Sequence, residues 1–370
     1  MTDETEPTVG LGRTVEGYEY RDWKTDPDGT VRVALIGIGW WTSEMVIPAI
    51  SDLDHCEATV AVSSSIEKAQ SVVDDVESVE HGLTYDEFHD GEAADVYDAV
   101  YICTPNAYHL EYAETAADLG KAVFCEKPME ATAERAAAMV DACEEADVPL
   151  LVGYRMQTEP LVRYARELIR AGAIGEPVSA IGNNSQTLLD IFDEPTQWRL
   201  DPELTGYGTS VMDLGIYPLN TVRFLLEANP VSAQATMTSS HDAFEDVPDE
   251  RSAFTVTFDD GTILTATSSQ NAHASTSLRI VGTEGELLLE PAFHMETELR
   301  IESGGDTIML ESEQVDQMSE VFAYFADRVL SGDEIEPDGV HGLVDMEALR
   351  AIYEAGETGG TIELDVERHL

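Results

Sequence analysis

Between residues 31 and 153 the sequence alternates short apolar runs, rich in β-branched residues, with longer segments of helical periodicity. The first run, Val31–Ile36, ends at Gly37, and later runs end at Thr104 and at Pro128. Strands that alternate with helices of about ten or more residues form parallel βαβ units. This feature constrains the fold most, because it predicts an α/β domain of the Rossmann type over residues 31–153.

The second half of the chain changes to consecutive strands. Five are predicted between Val231 and Glu290, with a hairpin turn at Asp259-Asp260-Gly261. Strands over Glu298–Ile301 and Asp306–Glu311 are predicted to extend this sheet, and helices over Asp316–Leu330 and Gly342–Ala355 follow. Residues 154–370 are therefore predicted to form an α+β substrate-binding domain, whose open, mostly antiparallel sheet is covered by helices on one face. The uncovered face predicts a homodimer or homotetramer that forms through the sheet. Residues 1–30 are interpreted as an arm outside the first core.

Charge composition limits the possible partners. The chain has 20 Lys and Arg against 73 Asp and Glu, a formal net charge of -53, and the acidic residues are spread along its whole length. Such repulsion opposes a compact state at low ionic strength, so the composition favours the high-salt cytoplasm of a halophile over an ordinary acidic protein. Nucleic acid and anionic membranes are poor partners for this surface. No secretory signal or membrane helix is predicted.

The strand that ends at Gly37 carries the cofactor signal. A dinucleotide site needs a tight turn and a close backbone approach to the pyrophosphate at a helix N-terminus. Gly37, Ile38, Gly39, Trp40 and Trp41 are therefore predicted to bind the cofactor, with a mere tight turn as the alternative. Thr42 holds the third fingerprint position, where a small residue is usual, and is expected to crowd the helix against the strand.

The end of the second predicted strand discriminates between NAD and NADP. An NAD site usually has an acidic residue there for the ribose 2′-hydroxyl. This chain has Ser63, Ser64 and Ser65, and Lys68 lies one helical turn further on. These residues favour NADP, since hydroxyls and an ammonium can bind a 2′-phosphate. The alternative is that the serines cap the next helix.

Lys127 is the first catalytic candidate. It follows a strand of the Rossmann half, and ligands bind outside the carboxyl ends of such strands. A lysine there can favour deprotonation of a substrate hydroxyl, although Lys127-Pro128 can also be just a turn. The four cysteines have no CxxC spacing, so no zinc site, other metal or disulfide framework is predicted.

Asp213 and Tyr217 are the second pair of candidates. Their spacing places both on one face of a predicted helix. A phenol beside a lysine ammonium becomes more acidic, so Tyr217 is a credible general base, and Asp213 can orient a sugar hydroxyl. From the spacing alone, an Asp N-cap followed by a core tyrosine is the preferred interpretation.

Five motifs then occur in the order typical of one family. They are Gly37-Ile38-Gly39, Cys103-Thr104-Pro105-Asn106, Glu126-Lys127-Pro128, Gly153-Tyr154-Arg155 and Asp213-Leu214-Gly215-Ile216-Tyr217-Pro218. Over about residues 30–365 the chain resembles the Gfo/Idh/MocA oxidoreductase family. Tyrosine at 217 resembles the branch that contains sugar 1-dehydrogenases, whereas inositol-dehydrogenase-like members usually have histidine there.

The resemblance implies a role for each matching residue. Lys127 is implied as the catalytic lysine with a cis bond to Pro128, Tyr217 as the proton-transfer residue, and Asp213 as a substrate or relay contact. Cofactor-side positions are implied for Thr104, Pro105, Asn106, His109, Glu126, Lys127, Arg155, Trp198 and Arg199. Arg155 can alternatively form a structural ion pair. Gln157 stands where relatives often have histidine, and is expected to alter the sugar preference.

The implied reaction is NADP-dependent oxidation of an aldopyranose, D-xylose in preference to others, at C1 to the aldonolactone. Another sugar or dihydrodiol dehydrogenase of the same family remains an alternative. So does an enzyme that recycles a tightly held cofactor. A dinucleotide-binding sensor without chemistry is a third possibility, but a sensor need not keep both Lys127 and Tyr217.

Overall fold

The structure is a computed structural model that describes residues 20–24, 26–192, 197–310 and 314–366. Its first sheet has six parallel strands in the order β3-β2-β1-β4-β5-β6. They are β1 (Val31–Ile36), β2 (Cys56–Ser63), β3 (His81–Thr84), β4 (Ala99–Ile102), β5 (Ala122–Cys125) and β6 (Leu150–Val152). The helices between them are α1 (Ile47–Ser51), α2 (Ile66–Asp75), α3 (Tyr85–His89), α4 (His109–Asp118) and α5 (Ala133–Glu145).

The central strand β1 determines where a ligand can bind. It pairs in parallel with β2 on one side and with β4 on the other, so the strand order reverses beside it. Val33, Ala34, Leu35 and Ile36 are fully buried, as expected for a strand covered on both faces. In such sheets the crevice lies outside the carboxyl ends of the strands, at this switch point.

The second sheet has nine strands in the order β14-β13-β12-β11-β7-β10-β9-β8-β15. Its neighbouring strands are antiparallel, except for the parallel pair β7 and β10. The strands are β7 (Pro177–Thr187), β8 (Pro230–Thr238), β9 (Arg251–Phe258), β10 (Ile263–Ser269), β11 (Asn271–Gly282), β12 (Gly285–Leu289), β13 (Leu299–Ser303), β14 (Asp306–Leu310) and β15 (Ile362–Glu363). The predicted open, mostly antiparallel sheet is confirmed.

The remaining helices are α6 (Pro160–Arg170), α7 (Leu188–Ile191), α8 (Pro202–Thr205), α9 (Ile216–Leu226), α10 (Gln317–Ser331) and α11 (Gly339–Thr358). A π-helical turn, Val211–Gly215, leads directly into α9. Helix α11 packs on the second sheet at β8 and also contacts α5, whereas α10 packs on the first sheet at β1 and β2. Helix α10 therefore covers the first sheet, and helix α11 connects the second sheet with α5.

Residues 20–24 differ from the predicted position of the arm. Trp23 is 6% exposed, and it belongs to the same apolar cluster as Val31 and Phe322. Asp22 pairs with Arg163 at 2.9 Å and with Arg328 at 3.4 Å. This part of the segment lies in the core because its tryptophan is stacked edge-on against Tyr324 of α10. Residues 1–19 lie outside the described residues.

Most predicted elements are present within a few residues of their predicted bounds, and β1 and β5 match them fully. The prediction missed β3, α3, α7, α8 and β15, which are all short. The predicted strand Asp306–Glu311 is described as far as Leu310, and residue 311 lies outside the described residues. No helix in the described part of the chain is long and apolar enough to cross a membrane.

Candidate active site

A cavity of about 310 Å³ lies where the carboxyl ends of the first sheet face the π-helical turn Val211–Gly215. Its size falls within the range usual for small-molecule sites. Twelve of the predicted site residues line it: Trp40, Trp41, Thr104, Asn106, His109, Glu126, Lys127, Arg155, Trp198, Arg199, Asp213 and Tyr217. The other predicted cofactor residues, Gly37, Ile38, Gly39, Ser63, Ser64, Ser65, Lys68 and Pro105, are not part of this lining.

The turn after β1 fits a dinucleotide. Gly37 has a φ of +94°, and a Cβ there would lie 2.3 Å from the carbonyl oxygen of Cys103, so glycine is required. A Cβ on Gly39 would meet nothing within 4 Å, which leaves the space that a pyrophosphate needs. Thr42 is fully buried, and its hydroxyl donates to the Gly37 carbonyl at 2.7 Å. The expected crowding at Thr42 is thus replaced by a hydrogen bond that holds the turn.

In the loop after β2, the structure shows the helix cap that was the alternative interpretation of the serines. Ser65 caps α2, because its hydroxyl oxygen accepts from the backbone N–H of Lys68 at 3.3 Å. The same hydroxyl donates to the carboxylate of Glu67 at 2.8 Å. Ser64 and Lys68 are exposed. Glu67 therefore places an acidic group beside the predicted 2′-phosphate position, which the sequence argument overlooked.

Lys127 and Asp213 form the centre of the cavity. The ammonium of Lys127 donates to Oδ1 of Asp213 at 3.0 Å and to its backbone carbonyl at 3.1 Å. The cis bond between Lys127 and Pro128, implied by the family resemblance, is present. A turn alone would not explain this contact with the second half of the chain, so the catalytic interpretation of Lys127 is favoured.

Asp213 uses both carboxylate oxygens for protein partners. Its Oδ2 accepts from Nε of Arg199 at 3.2 Å and from the side-chain amide of Gln270 at 2.9 Å. Asp213 is not an N-cap, because the π-helical turn has Ser210 at that position. The N-cap interpretation was therefore wrong. Instead, Asp213 sits within the turn and orients Lys127.

The pKa values of the pair follow from their mutual contact. Burial alone would raise the pKa of Asp213, but the cations of Lys127 and Arg199 outweigh it, so the pKa lies below its usual range. Burial would lower the pKa of Lys127, yet Tyr217, Asp213 and Glu126 raise it above its usual value. Each partner is thus stabilised in its charged form.

Tyr217 lies on the same side of the cavity as Asp213, as the spacing predicted. The Lys127 ammonium lies 4.7 Å from the centroid of its ring, and the Arg155 guanidinium lies 5.2 Å from it. The ring is half-buried and is tilted against Phe293 at 5.9 Å. Two cations therefore border the ring.

Glu126 and Arg155 form the wall behind Lys127. Glu126 accepts from the Tyr101 hydroxyl at 2.8 Å, and burial raises its pKa despite the nearby Lys127. Arg155 is 7% exposed and donates to the carbonyl of Phe293 at 2.6 Å and to the side chain of Gln317. The structural ion pair considered for Arg155 is not found among the described residues, so this side chain belongs to the cavity wall.

The loop after β4 is held by its own polar residues. The ring nitrogens of His109 face the carbonyls of Met129 at 3.1 Å and Thr104 at 2.9 Å. The amide of Asn106 donates to the Thr205 carbonyl at 2.9 Å. Both side chains are buried and already have protein partners. They shape the loop at Thr104, and we expect this loop to border the cofactor.

Several lining residues were not foreseen. They come from the second half of the chain: Asn184, Gln186, Ile191, Phe192, Phe293 and His294. No local motif marks them, because their position depends on the contact between the two sheets. Gln157, expected to alter sugar preference, is not in the lining and bonds instead to Asn220 at 3.0 Å. Within the described residues, no group of three or more His, Cys, Asp or Glu could hold a metal.

Comparisons with known proteins agree with this geometry. Residues 31–154 match the model of the oxidoreductase family with an NAD-binding Rossmann fold, and residues 162–288 match the GFO/IDH/MocA C-terminal domain. A D-xylose 1-dehydrogenase [NADP(+)] of Haloarcula marismortui is 52% identical over 94% of this chain and 98% of its own. A D-xylose 1-dehydrogenase (NADP(+)) of Haloferax volcanii is 32% identical over 91% of this chain and 99% of its own.

Among solved structures, the fold resembles that of the aldose-aldose oxidoreductase of Caulobacter crescentus, which was crystallised with glycerol. The TM-score is 0.84 at 29% sequence identity, over 90% of this chain and 100% of that chain. Both the parallel sheet and the large antiparallel sheet are therefore shared with a known oxidoreductase.

Proposed function

The chain belongs to the Gfo/Idh/MocA family of oxidoreductases, and from this premise we propose that it oxidises an aldopyranose at C1 with NADP. D-Xylose is the favoured sugar, because two D-xylose 1-dehydrogenases match along nearly the whole chain. The product is the aldonolactone. The observation that carries the proposal is the contact between Lys127 and Asp213 beside the ring of Tyr217.

In the proposed reaction Tyr217 takes the proton of the C1 hydroxyl. The ammonium of Lys127 lies over its ring and is proposed to assist this proton transfer. Asp213 holds that ammonium in place and keeps it charged. Asp213 is thus proposed as a positioning residue, since both its oxygens are occupied by protein donors.

Gly37 and Gly39 would hold the pyrophosphate of a dinucleotide, and the loops at Thr104 and Glu126 would border its nicotinamide. When bound, the nicotinamide supplies the acceptor for the C1 hydride. The residues of the chain supply orientation and electrostatics, which bring the sugar and the acceptor into contact. Ser64 and Lys68 are proposed to bind the 2′-phosphate.

Absorbance of NADPH in molar-range KCl tests the proposal. D-Xylose, D-glucose, L-arabinose and myo-inositol are each offered with NADP and with NAD. We expect the highest kcat/KM with D-xylose and NADP. Lys127→Ala and Tyr217→Phe should lower kcat by at least about a hundredfold, the usual contribution of acid-base catalysis. Lys121→Ala is the control, because that lysine donates to the Tyr97 carbonyl and does not line the cavity.

No turnover with any sugar, together with measurable NADP binding, would contradict the dehydrogenase proposal and favour a sensor. Turnover of one sugar at the expense of a second, without free NADPH, would instead indicate a cofactor that stays bound and is recycled.

We further propose a homodimer, or a tetramer built from it, through the open face of the second sheet. Along β7 and β10 this face carries Ile181, Ile263, Thr265 and Thr267, and Ile181 is 51% and Ile263 46% exposed. An apolar sheet face of this kind favours burial against a second copy. Light scattering in molar KCl should give at least a dimer, and Ile181→Lys should shift it towards the monomer.

We also propose that the protein works in the high-salt cytoplasm of a halophile. The division of the chain into an arm and two domains, at residues 30 and 153, is a further proposal.

A further inference from the structure

A second cavity of about 860 Å³ lies at the C-terminal end of helix α9, whereas Tyr217 lies near the N-terminal end of that helix. It is bordered by α6, by the C-terminal end of α9 and by the loop between α10 and α11. No residue of the candidate active site lines it. Its chemistry is therefore independent of the proposed dehydrogenase.

Arg166 of α6 is the most unusual group in this cavity. The residue is 8% exposed, and its Nε is buried without a hydrogen-bond partner among the described residues. Within the described part of the chain its ion pair is with Glu167 on the same helix, and it is long at 4.0 Å. A buried guanidinium N–H without a hydrogen-bonded partner is costly, because it loses water. The structure thus leaves one buried donor of this cation without an acceptor, although Glu227 and Glu336 act on its charge from the rim of the cavity.

The Phe224 ring limits the side from which a ligand can approach the guanidinium of Arg166. Its central carbon lies 4.0 Å from the centroid of the Phe224 ring, so the ring covers one face of the group. The edge that carries the N–H donors remains for a ligand, and this edge matches a carboxylate in bidentate geometry. Burial, followed by the charges of Arg170 and Arg163, lowers the pKa of Arg166, which an anion at this edge would reverse.

Arg223 also lines this cavity, and we call the part of the lining formed by Arg166 and Arg223 the floor. It is 5% exposed and pairs with Asp345 at 2.7 Å, yet its Nε is buried without a partner. The neighbouring His341 is kept neutral, because burial and the charge of Arg223 lower its pKa well below the usual value. The floor of the cavity therefore has positive charge that its own carboxylate, Asp345, only partly balances.

The rim has the opposite charge. Seven exposed acidic residues border the opening, and they come from three separate segments: Glu144, Asp147, Glu227, Asp333, Glu334, Glu336 and Asp338. Of these, Glu227 is already paired with Arg170, and Asp333 is paired with Arg328 at 3.9 Å. A simple anion would have to pass this rim, which disfavours it at low and moderate salt. A ligand with a cationic end would instead be attracted by the rim.

From this arrangement we propose that the cavity binds a small zwitterion of the amino-acid class. Its carboxylate pairs with the guanidinium of Arg166 on the floor, and its ammonium lies among the acidic residues of the rim. The polar ends of the ligand thus match the two charges of the cavity, and its aliphatic part lies along Phe224 and Ala228. Binding would connect α6 with α9, the helix that carries Tyr217.

Thermal unfolding of the full chain tests this proposal, at the lowest KCl concentration at which it stays folded. The probes are glycine, 4-aminobutanoate and 6-aminohexanoate, with hexanoate and hexylammonium as half-ligands. We expect at least one zwitterion to raise the melting temperature by several degrees in a saturable manner, and more than either half-ligand. Isothermal titration calorimetry with that zwitterion should give one site per chain.

Two variants locate the site. Arg166→Met keeps an aliphatic contact with Phe224 but removes the guanidinium, so it should abolish the zwitterion effect and leave the unliganded protein folded. Arg170→Met is the matched control one turn further along α6, where the arginine is exposed and already paired, and it should keep the effect.

The proposal is overturned if no zwitterion shifts the melting temperature of the wild type. It is equally overturned if Arg166→Met responds like the wild type, or if hexanoate alone reproduces the full shift. The last result would mean that the acidic rim contributes nothing to recognition.

Discussion

At the scale of single residues, the candidate active site concentrates positive charge in a chain that has little of it. Three of the 20 basic residues, Lys127, Arg155 and Arg199, line one cavity with the carboxylates of Glu126 and Asp213. The site is therefore locally cationic within an acidic molecule. This local sign suits a phosphate-bearing cofactor, which the rest of the surface would repel.

Glu67 is an acidic residue at the proposed cofactor site, where its charge would repel a phosphate. Hydrogen bonds from its own backbone N–H and from Ser65 lower the pKa of Glu67, so it is ionised at neutral pH beside the proposed 2′-phosphate position. We predict that Glu67→Gln lowers KM for NADP by about two- to fivefold, because one repulsive charge is removed at an exposed site. KM for NAD should change little, and initial rates with each coenzyme measure both.

The control for this prediction is Glu57→Gln, which removes an equal charge near the opposite end of β2. Equal changes in KM for NADP and NAD in the Glu67 variant would refute the assignment of this loop to the 2′-phosphate.

Sequence alone identified the residues that belong to local motifs and missed those that depend on the fold. Lys127 is recognisable because it directly follows a strand of a parallel sheet, which fixes its side of the molecule. Gln270 is not, since it reaches Asp213 from 57 positions further along the chain. Gln157 was misjudged for the same reason, because its side chain points towards Asn220 and His341 and away from the cavity.

At the scale of elements, the π-helical turn before α9 is held by a cap from two distant segments. Asp249 accepts from the backbone N–H groups of Thr209 at 2.7 Å and Val211 at 2.8 Å. The Tyr353 hydroxyl accepts from the N–H of Met212 at 3.2 Å and donates to Asp249 at 2.6 Å. Free N–H groups at a helix start need such partners. The helix that carries Tyr217 is thereby fixed at its first turn.

We predict that Tyr353→Phe lowers kcat more than it raises KM. The substitution leaves the buried Met212 N–H without its acceptor, at a cost of about 1–3 kcal/mol in stability. It also loosens the turn that positions Asp213 against Lys127. Steady-state kinetics and thermal unfolding of the same preparation measure the two effects.

Tyr207→Phe is the matched control for this cap, because the two rings lie 5.8 Å apart and the Tyr207 hydroxyl bonds instead to the N–H of Ala133. Similar losses of kcat in both variants would argue against a specific effect of the cap on the active site.

Asp249 also predicts a pH dependence of stability. Burial raises its pKa to about 6, although Tyr353 and the N–H groups of the turn lower it. The pKa of Asp249 in the folded protein exceeds the pKa of about 3.9 that it has in the unfolded chain. The stability that this group contributes is therefore fully present below pH 3.9. It is lost as the pH rises through about 6. Relative to Asp249→Asn, the wild type should therefore become less stable between pH 4 and 7. A constant difference across this range in denaturant unfolding would contradict the prediction.

Whole elements could be predicted where the pattern was long and regular. The strands β1 and β5 follow from apolar runs that end in a turn residue. The strands β3 and β15 have four and two residues, and they depend on pairing with β2 and β8 rather than on their own composition. Short edge strands of this kind carry too little local signal to be recognised.

At the scale of the whole molecule, helix α10 packs on the first sheet although it follows the strands of the second sheet in sequence. Phe322 and Phe325 of α10 are buried against Tyr101 and Phe124, which lie on β4 and β5. The predicted boundary at residue 153 assigns α10 to the second domain, although α10 packs on the first sheet. The order of the elements along the sequence does not show which sheet a C-terminal helix covers. The two sheets and the cleft between them should therefore unfold together.

The net charge of -53 leads to the last prediction, which concerns salt. The Debye length falls from about 10 Å at 0.1 M salt to about 3 Å at 1 M, so repulsion between surface carboxylates is largely removed in molar KCl. We expect the melting temperature to rise steadily from 0.1 to 2 M KCl, since the compact state gathers this charge into a smaller volume than the unfolded chain does. Screening depends on ionic strength and not on the identity of the cation, so NaCl and CsCl should give the same rise as KCl in calorimetry. A rise that differs strongly among the three salts would mean that bound cations, rather than screening, stabilise this acidic fold.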